Sequence, residues 1–190
     1  MFDHRVLSFL RVSALTAAVA CALVLPTFAQ EKRRQDVSRS QARLANEVRH
    51  ELVMLPYYGV FDNLEYRIEG VDTVIISGQV TRPTLKSDAE RVVKRIEGVG
   101  KVVNKIEVLP LSPNDDSLRL KTYRAIFSRP GLDRYALMAV PPIHIIVKNG
   151  NITLVGVVAT QADKDQAGIV ANGVPGAFSV TNNLSIEKKS

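Results

Sequence analysis

Residues 74–80 read VIISGQV and residues 152–158 read ITLVGVV. Each is a run of β-branched and apolar residues broken at the same place by a glycine, Gly78 or Gly156, and the two glycines stand 78 positions apart. The segments downstream of the two runs are also alike. A helix-like segment leads to EGVGKVVNKIEV at 97–108 in one case and NGVPGAFSVTNNLSI at 172–186 in the other, with Asn104 and Asn182 at the same separation. That period exceeds the roughly 20–50 residues of a solenoid unit and implies two duplicated small domains. Binding modules are often duplicated in this way, whereas two near-equivalent active sites are rare in so short a chain. The repeat therefore points to binding or scaffolding.

Before the first of these strands, Leu64, Tyr66 and Ile68 alternate with charged residues, the period of a half-buried strand. Glu69-Gly70-Val71-Asp72 supplies the turn into 73–80. Ser87, with Glu90 three positions later, reads as a capping box. The helix it opens buries Ala89, Val92, Val93 and Ile96 and has Gly98 as its left-handed stop. Val102, Ile106 and Val108 form a closing strand. Upstream, Leu44, Val48, Leu52 and Leu55 share one face of a helix that Pro56 ends. The order is αββαβ.

The order returns after Pro110–Asp115 (PLSPND). Leu118, Tyr123, Ile126 and Phe127 mark a helix stopped near Pro130, and Ile143, Ile145 and Val147 mark a strand. Asn149-Gly150 favours a tight hairpin turn, and Ile152–Val158 pairs back. Thr160 with Asp163 caps a helix that Gly173 stops before the last strand at Val180–Glu187. The expected fold class is α+β: two tandem αββαβ units, each a small mixed sheet with helices packed on one face. The units span 42–109 and 116–187, with 110–115 as linker, the polar stretch 30–41 as a flexible basic tether and 188–190 as a tail. The second unit carries an apolar insert, Leu132–Val140.

The chain has 190 residues and one cysteine, Cys21. MFDHRVLSFLR, with Arg5 and Arg11, precedes the 14 uncharged residues VSALTAAVACALVL. That run is too short to span a membrane and reads as a signal peptide cleaved after Ala29. An uncleaved membrane anchor is one alternative, and Ala18-Val19-Ala20-Cys21 leaves lipidation at Cys21 as another. Past residue 29 no cysteine remains, which excludes disulfides and thiolate catalysis there. Export without disulfides fits a bacterial periplasm, in solution or against a membrane. The net charge of +6 is concentrated in Glu31-Lys32-Arg33-Arg34, Arg39, Arg43 and Lys188-Lys189. Such runs are commonly solvated tails; near anionic lipid each cation contributes roughly 1 kcal/mol. Nucleic acid is not an expected partner of an exported protein.

Residues 42–187 resemble the BON family (bacterial OsmY and nodulation domain). The carriers are ISGQV at 76–80, the helix, EGVGKVVN at 97–104 and the closing strand, matched in the second copy at 154–158 and 172–183. The resemblance implies an exported or envelope-associated protein whose domains bind phospholipid membranes or envelope partners. A soluble periplasmic stress or chaperone-like protein, or an assembly adaptor in an envelope complex, is the alternative.

Gly78, Gly98, Gly156 and Gly173 read as structural residues: bulges or close approaches within strands for Gly78 and Gly156, helix stops for Gly98 and Gly173. No cofactor or metal is expected. His50 has no second ligand at metal spacing, and His144 alternates with Ile143 and Ile145 on the strand face expected to be solvated. No nucleophile–base–carboxylate set and no phosphate-binding loop is present, so an enzyme is not expected. Asp115-Asp116 suits a helix N-terminus. The candidate binding residues for lipid or a partner lie in two loops. Tyr57, Tyr58 and Phe61 follow the first helix. Arg129, Leu132, Arg134, Tyr135, Leu137 and Met138 occupy the corresponding segment of the second unit. These loops either close over the cores or present apolar side chains, with arginines, to a membrane interface or partner.

Overall fold

Two hairpins and two crossover helices generate the architecture. The computed structural model describes residues 25–187, with side chains from Gln30 onward. The expected export signal with Arg5, Arg11 and Cys21, and the tail 188–190, lie outside the described residues. The order is α1 (Leu25–Val53), β1 (Asn63–Glu69), β2 (Thr73–Val80), α2 (Pro83–Val93) and β3 (Lys101–Val108). It continues with α3 (Pro113–Phe127), a 3₁₀ helix (Asp133–Leu137), β4 (Ile143–Lys148), β5 (Asn151–Val158), α4 (Gln161–Asn172) and β6 (Ser179–Ile186). Each half is an α+β unit with a mixed three-stranded sheet. β2 is central, antiparallel to β1 and parallel to β3; β5 stands in the same relation to β4 and β6.

Among the described residues, those up to Arg43 form one unit, and those from Leu44 onward form a second that holds both αββαβ copies. The first core gathers Leu44, Val48 and Leu52 from α1, Val74, Ile76 and Val80 from β2, Leu85, Ala89 and Val93 from α2, and Ile106. The second gathers Leu118 and Ile126 from α3 with Ile143, Ile145, Ile152, Leu154, Ala167, Val170 and Leu184. Ile76 and Leu154 are fully buried on the central strands, and burying such a side chain stabilises by about 1.5–3 kcal/mol.

The two strand glycines are forced by the neighbouring strand. Gly78 has φ 114° and Gly156 φ 123°. A Cβ there would stand 2.1 Å from the Asn63 carbonyl oxygen or 2.0 Å from that of Pro142. Each asparagine of the repeat pins its crossover helix to the closing strand. Asn104 Nδ2 donates to the Lys86 carbonyl at 2.9 Å, and Asn182 Nδ2 donates to that of Lys164 at 2.7 Å.

Several local expectations change. Residues 30–41 are not a coil but part of α1, because Glu, Lys, Arg and Gln are good helix formers and no Gly or Pro interrupts them. The linker shortens, since α3 starts at Pro113 with Ser112 as its N-cap, accepting from the Asp115 N–H at 3.2 Å; proline suits that first turn. α2 opens four residues before Ser87, with Pro83 in its first turn, and the Ser87 hydroxyl donates back to the Thr84 carbonyl. The helix ends at Val93, so Gly98 (φ 93°) lies in the turn beyond it. Gly173 does cap α4 but with an ordinary right-handed φ of −81°. The left-handed counterpart of Gly98 is Gly176, φ 98°. Thr160 caps α4, and its hydroxyl both accepts from the Asp163 N–H and donates to that residue's carboxylate.

Candidate functional site

The loop after α1 is a clasp between the two copies. β4 is the edge strand of its sheet, yet its first five residues are buried, because residues 58–61 cover it. The Ile145 N–H donates to the Val60 carbonyl at 2.8 Å. The Tyr58 ring stacks on His144 with centroids 5.6 Å apart, and Phe61 meets Tyr123 edge-on at 6.1 Å. Burial pushes the Tyr58 hydroxyl up to about 12. His144 is therefore not solvated. Its Nδ1 lies 3.3 Å from the Gly59 carbonyl, and burial lowers its pKa despite that contact and the nearby Asp62 carboxylate. Tyr58 and Phe61 are thus spent on this junction. Tyr57 is different: it has φ 67°, is 74% exposed and lies under the Arg82 guanidinium, 4.7 Å from the ring centroid.

Asp62 organises the clasp from within. Its buried carboxylate accepts from the Thr81 N–H (2.7 Å), the Thr81 hydroxyl (2.9 Å) and the Gly59 N–H (3.2 Å). Asp115 acts similarly in the second copy. Its two carboxylate oxygens accept from the N–H groups of Asn149 and Gly150 at 2.9 and 2.8 Å, so it fixes the hairpin turn as well as opening a helix. Its neighbour Asp116 pairs with the buried Arg119, which also donates to the Val147 carbonyl.

The second loop divides into a buried half and an exposed half. Leu132 and Tyr135 belong to the core. The Tyr135 hydroxyl donates to Asp163 at 3.0 Å and accepts from the Ala159 N–H at 2.8 Å. Arg134 pairs with Asp163 at 2.6 Å and lies 4.8 Å from the Tyr135 ring centroid. Burial opposes ionisation of Asp163, but the bonds from Thr160 and Tyr135 and the Arg134 charge outweigh it and hold the carboxyl below its usual range. This is a satisfied structural cluster. Leu137 and Met138, at 87% and 58% exposure, point to solvent, and Arg129 is exposed on the same segment. Of the candidates, Tyr57, Arg129, Leu137 and Met138 remain available, with Arg134 partly committed.

Sequence reasoning missed Asp62, placed His144 on a solvated face and gave Asp115 only its role at the helix start. For His144 a signal existed: PIHIIV is apolar on both faces of its strand, the mark of a strand covered twice. No helix among the described residues is long and apolar enough to cross a membrane.

The family comparison agrees with the two tandem copies. The BON domain family matches twice, over residues 40–110 and 114–188. No curated protein sequence matches the chain. Among solved structures, the chain is similar to the C-terminal domain of CdsD, the structural protein of the type III secretion system of Chlamydia trachomatis, with 15% identity and a TM-score of 0.29. That alignment covers 76% of this chain and 64% of the matched chain, less than two thirds of it. A second CdsD structure from the same organism gives 12% identity and a TM-score of 0.28, covering 78% of this chain and 94% of the other.

Proposed function

Because this chain belongs to the BON domain family, with two copies of the domain in tandem, we propose that it is a non-enzymatic, exported envelope protein that binds anionic phospholipid surfaces through residues 128–140. Family membership supports an envelope-associated protein. The observation carrying the lipid reading is the exposure of Leu137 and Met138 on a segment that also bears Arg129 and Arg134. A leucine or methionine moved into an apolar environment gains about 1.5–3 kcal/mol at most, and each cation near anionic headgroups adds roughly 1. Such a patch binds weakly and reversibly. Tyr57 beside Arg82 is a smaller pairing of the same kind in the first copy, and two linked contacts raise the effective affinity.

Co-sedimentation with vesicles tests this reading, comparing neutral vesicles with phosphatidylglycerol-containing ones at low and high salt. Binding is expected only to the anionic vesicles, weakened by salt, and reduced about tenfold by Leu137→Ser with Met138→Ser. Those residues are exposed, so unfolding is expected to stay unchanged. Absence of binding to either vesicle would reject lipid recognition and leave an envelope protein as the partner.

A further inference from the structure

The four sheet edges are protected to very different degrees. β1 carries Glu65, Arg67 and Glu69, and β3 carries Lys101, Lys105 and Glu107. Charges along an edge discourage pairing with another chain. The β4 edge is occupied by Val60. β6 has neither protection along most of its length; the exception is the Leu184 N–H, already engaged in donating to the Asn182 Oδ1 of its own strand at 3.3 Å. Its eight residues, SVTNNLSI, include no charge and no proline, and among the described residues it pairs with β5 alone.

The side chains along β6 are also symmetrically placed. Phe178, just before the strand, is 85% exposed, and Ile186, at its end, is 42% exposed. Both stand four residues from Asn182, and by strand alternation both lie on its face. The first copy lacks this arrangement, having Gly100 where the second has Phe178.

We propose that the free edge of β6 is a homodimer contact, in which β6 lies antiparallel to the same strand of a second copy of this chain with Asn182 on the twofold axis. That register places Phe178 opposite the partner's Ile186, and Ile186 opposite the partner's Phe178. Directly opposed side chains in an antiparallel pair are about 4.5–5.5 Å apart at Cβ, so the two exposed apolar groups cover each other twice. This reciprocity is what an isologous contact requires. A single extended peptide would use the edge but not the symmetry, and no like charges oppose one another along the strand. The same sheet already accepts backbone from outside its own copy at the opposite edge, where Val60 meets Ile145. One strand edge buries less than the roughly 1,200 Å² of a stable complex, so the dimer is weak, half-formed on the order of tens of micromolar.

Sedimentation velocity of the full chain across about 1–200 μM tests the proposal. A monomer–dimer equilibrium is expected. Thr181→Lys with Asn183→Lys, two exposed positions that oppose each other across the axis, is expected to weaken it at least about tenfold. Its thermal unfolding is expected to remain unchanged. Register is read separately: Phe178→Cys with Ile186→Cys, in a Cys21→Ser background, is expected to give a disulfide-linked dimer on mild oxidation. A monomer at every concentration, lysine variants that associate like the parent, or an open-ended series of larger oligomers would each overturn the proposal.

Discussion

From the central strand onward, the two copies hold one backbone with different side chains. Early in α2, Leu85 is buried in the first core; 78 residues on, the buried group is Asp163, bound by Thr160, Tyr135 and Arg134. The N–H just after the central strand is held at Thr81 by the Asp62 carboxylate and at Ala159 by the Tyr135 hydroxyl. At the far end of the sheet, Asp72 fills the space over Gly100, whereas Phe178 fills the space over Gly150. The bulky partner has changed strands. What does not change is the strand glycine and the asparagine staple. Contacts set by the backbone itself are fixed, while the groups that satisfy leftover donors are interchangeable so long as each donor finds an acceptor.

That contrast can be broken most forcefully at the glycines. Gly78→Ala and Gly156→Ala each drive a methyl into a carbonyl at a left-handed φ, and a loss of about 3 kcal/mol or more is expected from either in denaturant unfolding. If one copy tolerated the change, the two frames would not be equivalent. The next test lies at the exchanged core position. Leu85→Ala is expected to cost about 3 kcal/mol through its cavity. Asp163→Leu with Arg134→Leu, which replaces both members of the ion pair and brings the second copy to the chemistry of the first, is expected to stay within about 1–2 kcal/mol of the parent, since apolar replacement of a whole buried ion pair is often neutral. A far larger loss would show that the polar cluster is indispensable.

The smallest effect concerns His144, which the first copy's loop keeps buried. Its folded-state pKa lies below the ordinary 6.5, so the unfolded chain takes up the proton first. This contribution to stability is complete above about pH 6.5 and declines as pH falls from there towards the folded-state value. His144→Phe, which can keep the stacking on Tyr58, is expected to flatten the slope of stability against pH between about 5 and 7. An unchanged slope would show that the imidazole is already accommodated when charged.

The duplicated frame was legible because glycine, asparagine and β-branched alternation report backbone demands directly. Residues 76–80 and 154–158 mark the central strands, and the spacing of Leu44, Val48 and Leu52 places their helix face. The helical 30–41 segment was missed because its polarity resembles that of a coil, and propensity without an apolar stripe leaves little pattern. The candidate loops were half legible. Aromatic composition could not say that Tyr58 and Phe61 face the other copy, or that Tyr135 turns its hydroxyl inward to Asp163. Both depend on contacts between residues far apart in the chain, 86 positions in the case of Tyr58 and His144. Leu137 and Met138, two and three residues on, differ from Tyr135 in where the 3₁₀ turn and its end point them.

The hydrogen bond from Ile145 to Val60 gives the molecule its own gauge of assembly. The amide belongs to the second copy's edge strand, but its acceptor belongs to the first. Neighbouring amides paired within the second sheet exchange with solvent deuterium only when that sheet opens, whereas the Ile145 amide is also released when the copies part. Its exchange rate, set beside theirs, separates undocking of the halves from unfolding of either one.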